Sequence, residues 1–320
     1  MATTVLGLKT FAASDPVDYN EINDNYNKID GGVKTALQGR AAHNLLDNSW
    51  FVDPVNQRGQ ASYSGGVYAI DRWKMQSGTN MTLMDGFIRI TGEWDARQFL
   101  GKKLIGTYTF AVYAKVNVAG GYTQTIEVFE NDSSIASSMC TGVGEWKIYT
   151  CTATFTGANN ITNPMIIINN RAGSVSDASM DVKWAALYEG SYDASTLPEY
   201  QPKGYAAELA ECMRYYYQSN DNKYGQDGMI IRRAINIDGN TNSYSLESVD
   251  LPVPMRITPT ITIYDDDGNV NVAQEWFTND KVSNTSIRYA NNRSFCVASE
   301  AGGFIGGKSY YFQYTASADL

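Results

Sequence analysis

The run Gly302-Gly303-Phe304-Ile305-Gly306-Gly307-Lys308-Ser309 matches the phosphate-binding pattern G-x-x-x-x-G-K-[ST] letter for letter. That pattern cradles a nucleotide only where a strand precedes it and a helix follows, so that loop amides and a helix dipole meet the phosphates. Here Ser309-Tyr310-Tyr311-Phe312-Gln313-Tyr314-Thr315 reads as a strand. The glycines are therefore expected to form a loop that enters a β-strand. Asp265-Asp266-Asp267-Gly268-Asn269 offers three carboxylates in a row. It lacks the alternating ligands and distal Glu of an EF-hand loop, and Asp-Gly is hairpin chemistry. The same loop, turned towards a ligand, has the acceptors to bind sugar hydroxyls. Glu93/Asp95 and Glu127/Glu130 are the residue type for glycoside hydrolysis, which needs two carboxylates about 5–10 Å apart. Nothing in their surroundings sets either pair apart, and solvated strand faces account for them better.

His43 is the only histidine, which excludes a multi-His metal site. The four cysteines, Cys140, Cys151, Cys212 and Cys296, show no C-x-x-C pair. Cys140 and Cys151 are placed to face each other across a hairpin, but such sparse cysteines fit buried free thiols better. No metal and no cofactor is expected. Sugars stack on exposed aromatic faces, so the six tryptophans matter. Trp146 and Trp184 sit in alternating strands and read as core. Trp276, followed by Phe277-Thr278-Asn279-Asp280, lies at a strand end beside a polar loop. Trp276, Asp265, Asp266, Asp267 and Asn279 are the candidate ligand-binding residues.

The elements that must position these residues are mostly strands. Tyr108–Val118 alternates with near-perfect period two, and Phe87–Thr91, Thr123–Phe129, Trp146–Phe155, Pro164–Ile168 and Asp181–Tyr188 are further strand candidates. Gly120-Gly121 reads as a two-residue hairpin turn. Short strands at this spacing predict an antiparallel sandwich of jelly-roll type over residues 44–204. Leu197–Gly204 is a proline-bearing linker, and Tyr205–Tyr217 reads as a short amphipathic helix with Leu209, Met213 and Tyr216 on one face. A second β-sandwich is predicted over 218–320, from Met229–Ile237, Tyr244–Leu251, Ile257–Tyr264, Asn269–Trp276, Ser294–Ser299 and Tyr310–Thr315. Residues 1–43 form a separate N-terminal segment. Asp15-Pro16 reads as a helix start, and Ile22, Tyr26, Ile29, Val33 and Leu37 recur at spacings of four, three, four and four. That stripe docks on a downstream domain or serves as an oligomer interface, in which case a trimer is expected. The predicted fold is thus mainly β: a short N-terminal helix, then two antiparallel sandwiches joined by a short helix.

Composition narrows the function. Of 320 residues, 43% are hydrophobic and 22 are Tyr, and the net charge is −9. No basic run exists to displace counterions from nucleic acid, and an acidic surface disfavours anionic membranes. Neither a signal-peptide pattern at Met1–Gly7 nor a long apolar run is present, so synthesis in the cytosol without membrane insertion is expected.

Asn44-Leu45-Leu46-Asp47-Asn48-Ser49-Trp50-Phe51, with Pro54–Gly59 and Ile70-Asp71-Arg72-Trp73, opens the first sandwich. Glu208–Tyr217, containing Cys212-Met213-Arg214-Tyr215-Tyr216-Tyr217, closes it. This opener and closer resemble a carbohydrate-binding-module-like jelly roll of phage and prophage tail-fibre and receptor-binding proteins. The closer departs from the Cys-x-Arg-Tyr-Tyr form by a third Tyr. Val17–Asn23 and Leu251–Thr260 are similar to fibre-protein openings and head-domain strand entries. The resemblance implies a homotrimer in a virion tail, in contact with other tail or baseplate proteins, holding host cell-surface polysaccharide without catalysis. A glycan depolymerase tailspike and a structural tail connector are the alternatives.

Overall fold

The computed structural model describes residues 18, 20, 22–29, 43–117, 123–157, 164–171, 178–220, 228–236, 244–299 and 303–320. Helix α1 covers residues 22–29. Asp18 caps it: its Oδ1 accepts the Asn20 N–H at 2.8 Å, and its carbonyl accepts the Ile22 N–H at 3.1 Å. The expected start at Asp15-Pro16 lies outside the described residues, as do Val33, Leu37 and the Gly120-Gly121 turn. Tyr26 and Ile29 are exposed on α1, at 68% and 42%.

Among the described residues the first unit has eleven strands. In chain order they are β1 (Ser62–Ser64), β2 (Lys74–Met75), β3 (Thr79–Met84), β4 (Phe87–Gly92), β5 (Asp95–Phe99), β6 (Gly106–Val116), β7 (Thr123–Glu130), β8 (Ser133–Met139), β9 (Trp146–Phe155), β10 (Pro164–Arg171) and β11 (Ser179–Glu189). They form a six-stranded sheet, β1-β3-β4-β11-β6-β9, and a five-stranded sheet, β2-β5-β10-β7-β8. Every named pairing is antiparallel. The inward positions alternate as period two demands: Phe110, Val112 and Ala114 of β6 and Ile88 and Ile90 of β4 join Ile126, Val128, Ile166 and Ile168 of the other sheet in one core. Cys140 and Cys151 are free thiols in that core. All six expected strands are present, with ends moved by a few residues.

Gly92 ends β4 with φ +99, and a Cβ there would lie 2.1 Å from the Gly78 carbonyl oxygen. Neither backbone can give way cheaply. Gly92→Ala is expected to destabilise the chain by about 2 kcal/mol through combined clash and left-handed strain, read as a lowered midpoint in urea unfolding.

The linking helix α2 (Tyr205–Met213) stops short of its expected end, because Tyr216–Gln218 is strand β12. Its buried residues are Glu208 and Cys212, with Tyr215 continuing that face one turn on, so the Leu209–Met213–Tyr216 stripe does not define the packed side. The reason is the first unit's opener, which supplies polar partners. Glu208 Oε1 accepts the Asn48 N–H at 2.5 Å. Asn48 Nδ2 donates to the Val55 and Asp71 carbonyls at 2.8 and 2.7 Å, and its own carbonyl accepts Trp73 Nε1 at 2.9 Å. Arg72 stacks on Tyr215 with its guanidinium carbon 3.4 Å from the ring centre, and Arg58 lies 3.8 Å over Tyr216. Opener and closer therefore interlock.

The second unit adds β13 (Ile230–Ile235), β14 (Ser245–Leu246), β15 (Val249–Asp250), β16 (Thr260–Tyr264), β17 (Ala273–Glu275), β18 (Lys281–Val282), β19 (Ser286–Arg288), β20 (Ser294–Ala298) and β21 (Ser309–Ser317). β21 organises it. Ser309–Phe312 pairs with β13 and Tyr310–Tyr311 with β17, whereas Gln313–Ser317 pairs with β16 and Thr315–Ser317 with β12. A strand that changes partners midway bends the sheet around a second core containing Leu246, Ile263, Phe295, Val297, Phe312 and Tyr314. Lys308 leads into β21 at Ser309, as expected for a glycine loop that enters a strand.

Candidate functional site

The outer face of the six-stranded sheet carries a groove of about 560 Å³. Its floor is a row of rings: Trp50 from the opener, Phe87 of β4, Tyr113 of β6, Trp146 of β9 and Trp184 of β11. Tyr200 of the linker stacks on Trp184 at 4.8 Å and on Trp50 at 5.4 Å between ring centres, within 16° of parallel. Tyr113 lies 5.8 Å from Trp184 and 5.5 Å from Trp146, and Trp146 meets Phe87 edge-on at 5.8 Å. Trp50, Phe87, Tyr113 and Trp146 are half-buried, so their faces are shared between protein and solvent. Trp184 is 9% exposed and belongs to a small cluster outside the main core.

Local backbone geometry explains this arrangement. Tyr113 and Lys115 of β6 are two residues apart and face outward together, opposite Ile148 and Trp146 of β9. On β11 the pairing with β6 slips between Val182 and Trp184, a β-bulge. Val182, Ala185 and Leu187 point into the main core, and Trp184, Ala186 and Tyr188 point outward. The bulge lets Lys183 and Trp184, adjacent in the chain, line one groove. Beside them the opener runs as an extra edge: Leu45 and Phe51 donate N–H bonds to the Leu187 and Lys183 carbonyls at 3.0 and 2.9 Å, and Ala185 donates to Ser49 at 3.0 Å. This places Trp50 across from Trp184.

Polar groups rim the rings. Lys183 Nζ sits 4.6 Å from the Trp146 ring centre and Lys115 Nζ 5.3 Å from it. Asp85 is exposed at the groove edge. Lys115 also pairs with Asp181 at 3.2 Å, and Arg89 bonds the same carboxylate at 2.7 and 3.0 Å. Burial pushes the Asp181 carboxyl up, but the bonds from Arg89, Asn117 and Lys115 outweigh it and hold it below the usual range. Asp181 is thus an ionised structural group. Three of the four carboxylates paired for hydrolysis are similarly engaged: Glu127 accepts from Thr125 and Asn169, Glu130 caps the Thr156 and Gly157 N–H groups, and Asp95 is bound to Arg97, while Glu93 is exposed. The arrangement suits holding a flat, hydroxyl-rich ring: apolar faces below, donors and an acceptor at the edge.

The residues expected from sequence gather at a different place, one corner of the second unit. Trp276 is 45% exposed and Phe277 83%. Trp276 packs edge-on against Tyr311 at 5.7 Å, and Tyr311 Oη donates to Asn279 Oδ1 at 3.1 Å and lies 3.5 Å from Asp266 Oδ2. Asp265, Asp266 and Asp267 are, among the described residues, a group whose oxygens are close enough for one ion. Lys281 Nζ bonds two of these carboxylates, 2.7 Å from Asp265 and 2.6 Å from Asp267. Asp265 also accepts the Asp267 and Asn269 N–H groups at 3.1 and 2.7 Å, closing an Asp-Gly turn in which Gly268 has φ +82. The loop is therefore built as a hairpin closed by an ammonium. Trp146 corrects the sequence reading, because it is half-buried on the outer face, whereas Trp184 is buried as expected, in a cluster apart from the main core. The signal in the sequence was Lys183 directly beside Trp184 in β11.

No protein-family model matches the chain, and no curated protein matches it. Among solved structures, it is similar to a CBM4 module at 17% identity and a TM-score of 0.32, over 44% of this chain and 97% of that one. It is similar to the CBM22-1 xylan-binding domain of Paenibacillus barcinonensis Xyn10C at 13% identity and a TM-score of 0.28, over 47% and 98%. The tandem CBM22-1–CBM22-2 domain of the same protein aligns at 11% identity and a TM-score of 0.30, over 88% and 91%. What stands on this chain's own register is its architecture: mainly antiparallel β, with a two-sheet sandwich bearing an aromatic groove.

Proposed function

We propose that this chain is a non-catalytic glycan-binding attachment protein of the phage tail-fibre type, and that the jelly-roll groove is where it holds sugar. The observation that carries the reading is the row of half-buried rings with Lys115, Lys183 and Asp85 at its rim. Stacked pyranose faces bury apolar surface there while the hydroxyls reach the charged edge. Asp95, Glu127, Glu130 and Asp181 are committed to structural bonds, which supports binding without hydrolysis. In the fibre reading, the apolar stripe of Ile22, Tyr26 and Ile29 joins three copies, and the virion tail supplies the neighbours. Single-site binding is weak, and three linked sites raise avidity by about 10²–10⁴. The corner at Trp276, Phe277 and Asn279 serves in this reading as a second contact with the host surface.

The test is direct. Trp146→Ala is expected to weaken binding of host-surface oligosaccharide about tenfold, the worth of one aromatic platform, in isothermal titration of the full chain. Trp276→Ala is expected to weaken it less. Unchanged affinity in Trp146→Ala with a large loss in Trp276→Ala would move recognition to the second unit. Light scattering on the eluted protein is expected to give three times the chain mass; a stable monomer would contradict the fibre reading.

A further inference from the structure

A cavity of about 500 Å³ lies between the first unit and α2 and shares no lining residue with the aromatic groove. The opener contributes Asp47, the loop after β5 contributes Lys102, and the linker contributes Lys203. Helix α2 and the residues after it contribute Glu211, Arg214 and Tyr215. The charges pair off unevenly. Asp47 is shared by Arg72 at 3.1 Å and Lys203 at 3.5 Å, and Lys203 also reaches Glu208 at 3.8 Å. Arg214 takes Glu211 at 3.4 Å. Lys102 is left with no hydrogen bond or ion pair among the described residues, although it is half-buried. Behind Asp47, Arg72 Nη1 is buried without a hydrogen-bond partner.

A half-buried ammonium beside other cations is costly unless something neutralises it. Its pKa is lowered, first by burial and also by Lys203 and Arg72, against the opposing pull of Asp47 and Glu211. A lysine kept only for structure would be expected to carry a partner. We propose that this cavity is an anion-binding site in which Lys102, flanked by Lys203 and Arg214, receives a carboxylate or phosphate group. The volume admits a ligand larger than the bare ion, such as one acidic sugar residue. The site does not depend on the groove and is distinguishable from it by mutation.

The experiment measures thermal shift and titration calorimetry on the full chain with two probes, inorganic phosphate and glucuronate, at constant ionic strength. Wild type is expected to be stabilised by at least one of them at millimolar concentration. Phosphate alone would identify a phosphate-bearing ligand, and glucuronate alone an acidic sugar. Lys102→Met is expected to weaken the response about tenfold or more. It is also expected to melt at or above the wild-type temperature without anion, because it removes an unpaired cation. A purely structural lysine predicts a lower melting temperature instead. Lys147→Met, an exposed lysine that lines neither the cavity nor the groove, is expected to keep the full response. The proposal is overturned if neither anion stabilises the wild type, if Lys102→Met responds as wild type does, if Lys102→Met melts below wild type without anion, or if the response is lost in Lys147→Met.

Discussion

Arg72→Ala is expected to destabilise the chain by about 3–5 kcal/mol in urea unfolding, the usual cost of breaking a buried, hydrogen-bonded charge pair. Arg72 is 1% exposed. Its Nε bonds Asp47 at 3.1 Å, its Nη2 donates to the Phe99 carbonyl at 2.7 Å, and its plane lies on Tyr215. One side chain thus joins the opener, the end of β5 and the residues after α2. Truncation leaves a cavity where the stem and guanidinium packed, and a carbonyl without its donor. Arg72→Met is expected to cost much less, about 1–2 kcal/mol, since it refills the space and removes a guanidinium that has an unsatisfied nitrogen. Asp47 retains Lys203 in either variant. Equal losses in the two variants would show that packing is unimportant and that the charge alone holds the interlock.

The second large effect is in pH. Asp71 is 0% exposed and accepts the Gln57 N–H at 2.8 Å, Gln57 Nε2 at 3.1 Å and Arg58 at 3.3 Å. Burial nonetheless raises its pKa from 3.8 to about 6, with Arg58 and Gln57 opposing. Folding therefore takes up a proton at this site in mildly acidic solution. The contribution is fully present below the unfolded value near 3.8 and is lost as pH rises through about 6. At about 1.36 kcal/mol per unit, it is on the order of 3 kcal/mol. Asp71→Asn is expected to flatten that slope between pH 4 and 6, measured as the difference in unfolding free energy at the two ends. Parallel wild-type and variant profiles would place the loss of stability on raising pH elsewhere. Asp319, bound to Arg58 at 2.7 Å and raised by burial in the same direction, is the group to substitute next.

How much of this was legible beforehand depended on strand length. Tyr108–Val116 alternates over enough residues for period two to declare itself, and β6 lies there. Lys74–Met75 and Ser62–Ser64 are too short to carry a period, so β2 and β1 emerge only from their pairing. Short strands of the second unit, such as Lys281–Val282 and Ser286–Arg288, were hidden for the same reason. The groove was hidden by the bulge. Strict alternation from Val182 puts Trp184 on the inner face, and only the slipped register reverses it. The motif residues Asn48, Arg72 and Glu208 were conspicuous, but their types do not tell a ligand site from a structural interlock; their hydrogen bonds do. Asp265–Asp267 was correctly read as hairpin chemistry, because an Asp-Gly turn is a local property. Lys281, which closes it, comes from more than a dozen residues downstream.

The many partners of β21 have a consequence for biosynthesis. Each strand it pairs with lies earlier in the chain, so β12, β13, β16 and β17 leave the ribosome before the segment that joins them. The first unit's central strand β11, in contrast, emerges well before α2. The nascent chain should therefore complete its leading sandwich while the trailing strands still wait with unpaired edges. During that interval a translation arrest or a chaperone would act on the trailing half alone.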